Sequence, residues 1–280
     1  MKEIIVAIDF SKGSLHALQY AIHIANTAKS NVMMVYVDSR SGQDVGFSPE
    51  TSELRDELIH NFEELVTTFR PTLSGGKLTY KLRKGKVYQE LATLARLNKA
   101  DIIISGTHGI SGFEEFWIGS NAFRIVLYAP CPVITVRSSF DVLRPISNIV
   151  IPIDHTADTL QKLPLAANLA KLFNAQIHIL ALHSSRLKSL QIKIETTVIK
   201  VEKYLSKCGV AYASEFRFAD NLTDTTLEFA AAADADLIII MTEQETSDAN
   251  ILLGQFAQQM VNFSSVPILS VQPKEVFVLA

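Results

Sequence analysis

The chain has 280 residues, which at roughly 100–200 residues per domain points to two domains of about 140. Apolar residues make up 48% and charged residues 20%, a globular composition that excludes a disordered tail, a collagen and a disulfide miniprotein. Lys and Arg number 26 against 29 Asp and Glu, and a net charge of -3 leaves no electrostatic footprint for nucleic acid or an anionic membrane.

Ile4–Ile8 is β-branched and continuously apolar, which predicts a strand buried on both faces. Ser11 can cap the next segment, where Leu15, Leu18, Ile22 and Ala25 recur at helical spacing. Val32–Val37 reads as a second strand, and Pro49–Phe69 as a helix with proline in its first turn. Leu78–Leu82 alternates like a strand. A helix over Val87–Leu97, a strand over Ile102–Ser105, a short helix over Ala122–Leu127 and a last strand over Val133–Val136 complete the half. Strands alternating with helices predict an α/β fold with a parallel, doubly wound sheet. Ligands on such sheets bind beyond the carboxyl ends of the strands.

The chain then repeats itself. KEIIVAIDF from Lys2 aligns with SNIVIPIDH from Ser147, placing Asp9 on Asp154 at an offset of 145. Ala100–Ile104 aligns with Ala235–Ile239, and Gly119 and Pro132 with Gly254 and Pro267, at an offset of 135. The second copy is ten residues shorter, and the polar segment Ser39–Ser48 is the expected place of the loss. A period of this length is a domain duplication rather than a solenoid repeat. The join falls near Ser138–Pro145, predicting domains over 1–140 and 146–280 related by a pseudo-twofold axis. Val133–Val136 and Ile268–Val271 are expected at the edges of two separate sheets, available for pairing. One continuous sheet through both halves would count against that arrangement.

Cys131 and Cys208 do not make a disulfide framework, which fits a reduced, cytoplasmic setting. Asp9 interrupts any signal-peptide core. Asp234 and Asp236 break the most apolar stretch, so no membrane-spanning segment is expected.

The fourth strand leads into SGTHGISGFEEFWIGSNAF, with Gly106-x2-Gly109-x9-Gly119-Ser120 inside it. Glycines allow close backbone approach to a phosphate and positive φ, and successive N–H groups form an anion-binding concavity. Gly119-Ser120-Asn121 opens a helix whose N-terminus offers unpaired donors. An ordinary αβ loop with glycine turns has the same spacing.

Asp9-x-Ser11, this glycine motif, ADIIISGTHG and the closing Cys131-Pro132-Val133-Ile134-Thr135-Val136 together resemble the universal stress protein family, twice over and across nearly the whole chain. The resemblance implies two tandem five-stranded domains of adenine nucleotide alpha hydrolase-like fold. It also implies pairing of domains through their last strands, with a homodimer as a further arrangement. In members that carry the motif it implies ATP binding, with Mg2+ as a companion ion, without strong catalysis. Carried over by position, Asp9 and Ser11 would lie at the adenine or ribose, where Asp9 also reads as a helix-cap residue. Val37 would contact adenine. Gly106, His108 and Gly109 would line the ribose and phosphate side. Gly119, Ser120 and Asn121 would hold the phosphates. No catalytic or metal-binding residue is implied.

Copy two departs from the pattern, with Met241, Glu243 and Gln244 at the positions of Gly106, His108 and Gly109 and with Gln255 for Ser120. Glu243, Glu245 and Asp248 add negative charge where a triphosphate needs donors, and nothing basic lies in that loop. The expectation is one ATP per chain, held by the first domain.

Other patterns carry less. Ser74-Gly75-Gly76-Lys77 precedes the third strand and reads as a turn. His16 and His23 stand seven residues apart on one helix face, too far for one ion, and read as surface residues. Cys131 reads as a buried small apolar residue. Phe113, Phe116 and Trp117 either cover a ligand or pack onto a neighbouring domain or subunit. Three functions follow: a nucleotide-binding stress or regulatory protein, a slow ATPase of the same architecture, or a scaffold with two empty pockets.

Overall fold

The computed structural model describes residues 1–39, 49–107, 119–156, 158–242, 244–247 and 250–273. The first half runs β1 (Glu3–Ala7), α1 (Lys12–Ala28), β2 (Asn31–Asp38), α2 (Pro49–Phe69), β3 (Leu78–Lys84), α3 (Val87–Asn98), β4 (Ile102–Gly106), α4 (Ser120–Tyr128) and β5 (Val133–Val136). The second runs β6 (Asn148–Ile153), α5 (Leu163–Phe173), β7 (Gln176–His183), α6 (Lys188–Cys208), β8 (Tyr212–Phe218), α7 (Leu222–Ala232), β9 (Leu237–Met241), β10 (Gln244–Ser247), β11 (Asn250–Leu253), α8 (Gln255–Phe263) and β12 (Ile268–Val271).

The inner strands are apolar because both of their faces are covered. Ile4, Ile5 and Val6 of β1 are all 0% exposed. One face of the sheet packs on α1, α2, α5 and α6, where Leu18, Phe62, Leu163 and Val201 are buried. The other packs on α3, α4, α7 and α8, through Leu91, Ile125, Phe229 and Met260.

The strands form one ten-stranded sheet in the order β3-β2-β1-β4-β5-β12-β9-β6-β7-β8. This corrects the expectation of two sheets whose last strands stand at free edges. β5 and β12 pair with each other, antiparallel, and are the two central strands. Ile134 faces Leu269, and these are equivalent positions of the repeat, so the pseudo-twofold axis passes through that pair. The reason is local: VITV and ILSV are four-residue strands, buried throughout, without a charge to blunt an edge. Among the described residues the outermost strands are instead β3 and β8.

Reciprocal side chains clasp the seam. Arg137 donates from Nε to Ser264 O at 2.9 Å and from Nη2 to Asn262 O. Gln272, its repeat equivalent, donates from Nε2 to Val126 O and Leu127 O, each at 3.0 Å. Each thus satisfies carbonyls at or just beyond the C-terminal end of the other half's helix, α8 or α4, which the helix cannot pair internally.

The shortening of copy two falls at the expected segment and also at a second one. The β2–α2 connection, residues 39–48, is matched by 184–187, but the α2–β3 connection, residues 70–77, is matched by only 209–211. Copy one spends that second excess on a 3₁₀ turn, Arg70–Thr72, and on the turn at Gly76, whose φ is +76°. Among the described residues no helix is long and apolar enough to cross a membrane.

Candidate functional site

β1 ends in a tight turn. Phe10 adopts φ 62°, a left-handed conformation that costs a non-glycine residue energy. Its ring is held edge-on to Phe62 at 5.0 Å, anchoring the turn. Asp9 Oδ1 then accepts from Ser11 N–H at 3.0 Å and from Ser11 Oγ–H at 2.5 Å. Ser11 Oγ in turn accepts from Ser14 N–H at 3.2 Å, capping α1. Ser11 therefore builds the turn and does not line the cleft beside it. Asp9 Oδ2 takes no partner among the described residues.

That cleft, of about 330 Å³, opens at the carboxyl ends of β1, β2 and β4. Of the expected residues, Asp9, Val37, Gly106, Gly119, Ser120 and Asn121 line it together. His108 and Gly109 lie outside the described residues, as do Phe113, Phe116 and Trp117. Ser14, Tyr36, Val87, Thr107 and Ile125 also line it and were not anticipated. Val87 could have been found from its place at the start of a helix following a strand, where cleft walls form in such sheets.

Gly106 and Gly119 have packing and hydrogen-bonding roles of their own. Neither Gly106 nor Gly119 has positive φ. A Cβ at Gly106 would stand 2.7 Å from Gly13 O, so this glycine lets β4 and α1 approach. Gly119 N–H already donates to Thr107 O at 2.7 Å, closing the base of the loop, and is not a free phosphate donor. Ser120, Asn121 and Ala122 follow in the first turn of α4, which has no side-chain cap. Their backbone N–H groups face this end of the sheet without partners among the described residues. Ser120→Ala should weaken binding of an anionic ligand by about 0.5–3 kcal/mol, measured by calorimetry, if its hydroxyl shares in that hold.

Copy two keeps the frame and loses the space beside its aspartate. Thr156 N–H and Oγ1–H donate to Asp154 Oδ1 at 2.8 and 2.6 Å, as Ser11 does to Asp9. Beside Asp154 the space is about 60 Å³, lined by Pro152, Asp154, Lys162, Leu182, Leu222, Met241 and Phe256, and on the other side of Leu222 and Phe256 lies a more open hollow of about 480 Å³ that includes Ser184, Asn221 and Gln255. Met241 stands where copy one has Gly106, and Phe256 where it has Asn121. Lys162, at the repeat position of Ala17, is 2% exposed and donates from Nζ to Thr159 O and Oγ1 at 3.0 and 3.1 Å. The reading that nothing basic compensates holds for the loop alone, since a buried cation enters from α5's side. Within the loop, β10 and β11 pair antiparallel.

The remaining sequence candidates resolve as follows. His16 is not a plain surface residue: its Nε2–H donates to Phe140 O at 2.8 Å and ties α1 to the interdomain segment. Burial pushes the Cys131 thiol up to about 12, with Asp101 adding to it, which makes it a poor nucleophile. Among the described residues no group of three His, Cys, Asp or Glu could hold a metal ion.

Comparison with known proteins agrees with the duplicated fold. The model of the universal stress protein family matches residues 1–137 and again 145–272. A universal stress protein of Methanocaldococcus jannaschii is 34% identical over 140 residues, covering 49% of this chain and 82% of that protein. A putative universal stress protein of Staphylococcus aureus is 31% identical over 144 residues, covering 49% of this chain and 84% of its own. Among solved structures, a universal stress protein from Archaeoglobus fulgidus superposes with a TM-score of 0.75 at 16% identity, over 96% of this chain and 98% of that one. A putative universal stress protein from Pseudomonas aeruginosa gives 0.68 at 19% identity, over 98% and 94%. These two likenesses are of fold.

Proposed function

The chain belongs to the universal stress protein family, and from that premise we propose that it binds ATP or a related adenine nucleotide in its first half and not in its second. Family membership itself supports a stress-related role. The observation that carries the nucleotide reading is one of continuity: the first half joins Asp9, apolar walls and the start of α4 in one cleft of about 330 Å³, whereas in the second the space beside Asp154 is only about 60 Å³ and a separate, more open hollow of about 480 Å³ lies on Ser184, Asn221 and Gln255 without that aspartate. The first has the size of a small-molecule site. Its chemistry fits the ligand: Ile8, Val37, Val87 and Ile125 offer apolar surface for a base, and Asp9 an acceptor for a ribose hydroxyl. The uncapped start of α4 supplies donors and a positive dipole end for phosphate.

The surroundings differ in charge in the same sense. Lys86 caps α3 and Arg124 lies on α4 over the Tyr88 ring at 5.8 Å. Their equivalents in copy two are Asn221 and Gln259. Binding rather than turnover is the reading for the first cleft. Asp9 is the one carboxylate among its described lining residues, and one of its oxygens is engaged by Ser11. Mg2+ would arrive on the phosphates rather than in a protein cage. The two free cysteines fit a reducing, cytoplasmic setting.

Calorimetry of the full chain with ATP, run with and without Mg2+, should give a stoichiometry near one, and mass spectrometry of heat-released ligand should identify an adenine nucleotide. A stoichiometry near two in both conditions, or no binding in either, would refute the proposal.

A further inference from the structure

The outer edge of the second half is built to pair with itself. Among the described residues β8 is the last strand of the sheet, and Phe216 and Phe218 on it are 46% and 49% exposed. Its hydrogen-bonding pattern fixes which backbone groups are open. Ile177 N–H donates to Ala211 O and Ala219 N–H to His183 O, so residues 213, 215 and 217 turn their groups to β7. Ser214, Phe216 and Phe218 therefore turn N–H and C=O outward. In an antiparallel pair between two copies, outward-facing residues must oppose one another, and residues 215 and 217 fall in the closer, non-hydrogen-bonded positions.

Charge then selects one register. Centring the axis on Phe216 sets Glu215 against Arg217 of the second copy, and Arg217 against its Glu215. The neighbouring registers centre on Glu215 or on Arg217 and oppose like charges. In the favoured register Phe216 faces its own copy, Phe218 faces Ser214, and four phenylalanine rings gather on one face. The other outermost strand shows the opposite design. On β3, Val32 N–H donates to Lys77 O and Gly85 N–H to Asp38 O, which puts Lys81 and Arg83 in the positions of Glu215 and Arg217. Every comparable self-pairing there opposes basic residues, which blocks it.

We propose that β8 is a homodimer interface, through which two copies of this chain pair antiparallel about Phe216, with Glu215 and Arg217 of one copy against Arg217 and Glu215 of the other. The pairing adds about six backbone hydrogen bonds, two at each opposed outward pair. It lies at the opposite side of the second half from the β5–β12 seam and leaves the first-half cleft open.

Sedimentation velocity of the full chain tests it. The unmodified chain should be a reversible dimer at about 100 μM. Arg217→Glu opposes two glutamates twice and should weaken the dimer at least about tenfold. The double change Glu215→Arg with Arg217→Glu should restore it, and thermal unfolding of each variant separates lost pairing from lost fold. A chain that stays monomeric at that concentration, a dimer indifferent to Arg217→Glu, or a double change that leaves the dimer weak would overturn the proposal.

Discussion

Asn121→Phe is expected to abolish nucleotide binding, by about 100-fold or more in affinity, while the protein stays folded. The experiment has already been set up inside the chain. Phe256 occupies this position in copy two, and the helix that carries it is unaffected: α8 and α4 are both nine residues long. Their glycine N-caps have nearly the same backbone, φ -59° and ψ 144° against φ -56° and ψ 149°. The first half should therefore accept a phenylalanine without refolding. What changes is space beside the strand-end aspartate: Asn121 lines the same cleft as Asp9, whereas Phe256 stands between the narrow space at Asp154 and the open hollow at Asn221 and Gln255. The reverse substitution, Phe256→Asn, should not create a second site, because Met241 and Lys162 still fill it. Calorimetry on both variants, with circular dichroism as the check on folding, decides the matter. Unchanged affinity in a folded Asn121→Phe protein would place the ligand elsewhere.

Asp236→Ala should be the most damaging change far from the cleft, lowering stability by about 3 kcal/mol and the unfolding midpoint by about 6–12 °C. Asp236 is 1% exposed, and its Oδ2 accepts from Ser147 N–H at 2.7 Å and Asn148 N–H at 2.8 Å. Its Oδ1 pairs with Arg144 Nε. Removing the carboxylate leaves two amide donors unsatisfied at the entry to β6 and releases Arg144, so the interdomain segment loses its hold on the second half. Asp101 is the repeat equivalent and makes the same pair of contacts, to Lys2 and Glu3 N–H, but it is exposed. Water can replace it there, so Asp101→Ala should cost less than half as much. Calorimetric unfolding of the two variants side by side measures the difference, and equal losses would mean that burial is not what makes the contact matter.

Much of this was legible from residue pattern. The helix over Pro49–Phe69 and the strand over Val133–Val136 have the bounds that the sequence suggests, because a first-turn proline and an uninterrupted apolar run are local signals. β3 was read short, to Leu82, since its pairing with β2 continues through Lys84 and a polar strand end at an open edge leaves no apolar trace. The gathering of Asp9, Val37, Gly106 and Gly119–Asn121 was expected from the family resemblance. The reasons for the individual glycines were not: that Gly106 gives way to Gly13, and that Gly119 spends its N–H on Thr107, depends on approach distances between segments distant in sequence. Loss of triphosphate binding in the second half was expected from Met241, Gln244 and Gln255 and from the acidic loop residues. Lys162, which projects from a different element, became visible only once α5 was laid against β6.

The β5–β12 seam has a consequence for concentration. A pairing of two separate chains weakens as they are diluted, and the folded state of each then depends on how much of the other is present. Here the two partners are joined by residues 137–147, so each meets the other at a local concentration set by that short tether, on the order of millimolar or above, whatever the amount of protein in solution. The partners need not be copies of one another, because they cannot exchange. A half that has filled its own cleft with Met241, Phe256 and Lys162 can still complete the sheet for a half that has kept its cleft open, at any dilution.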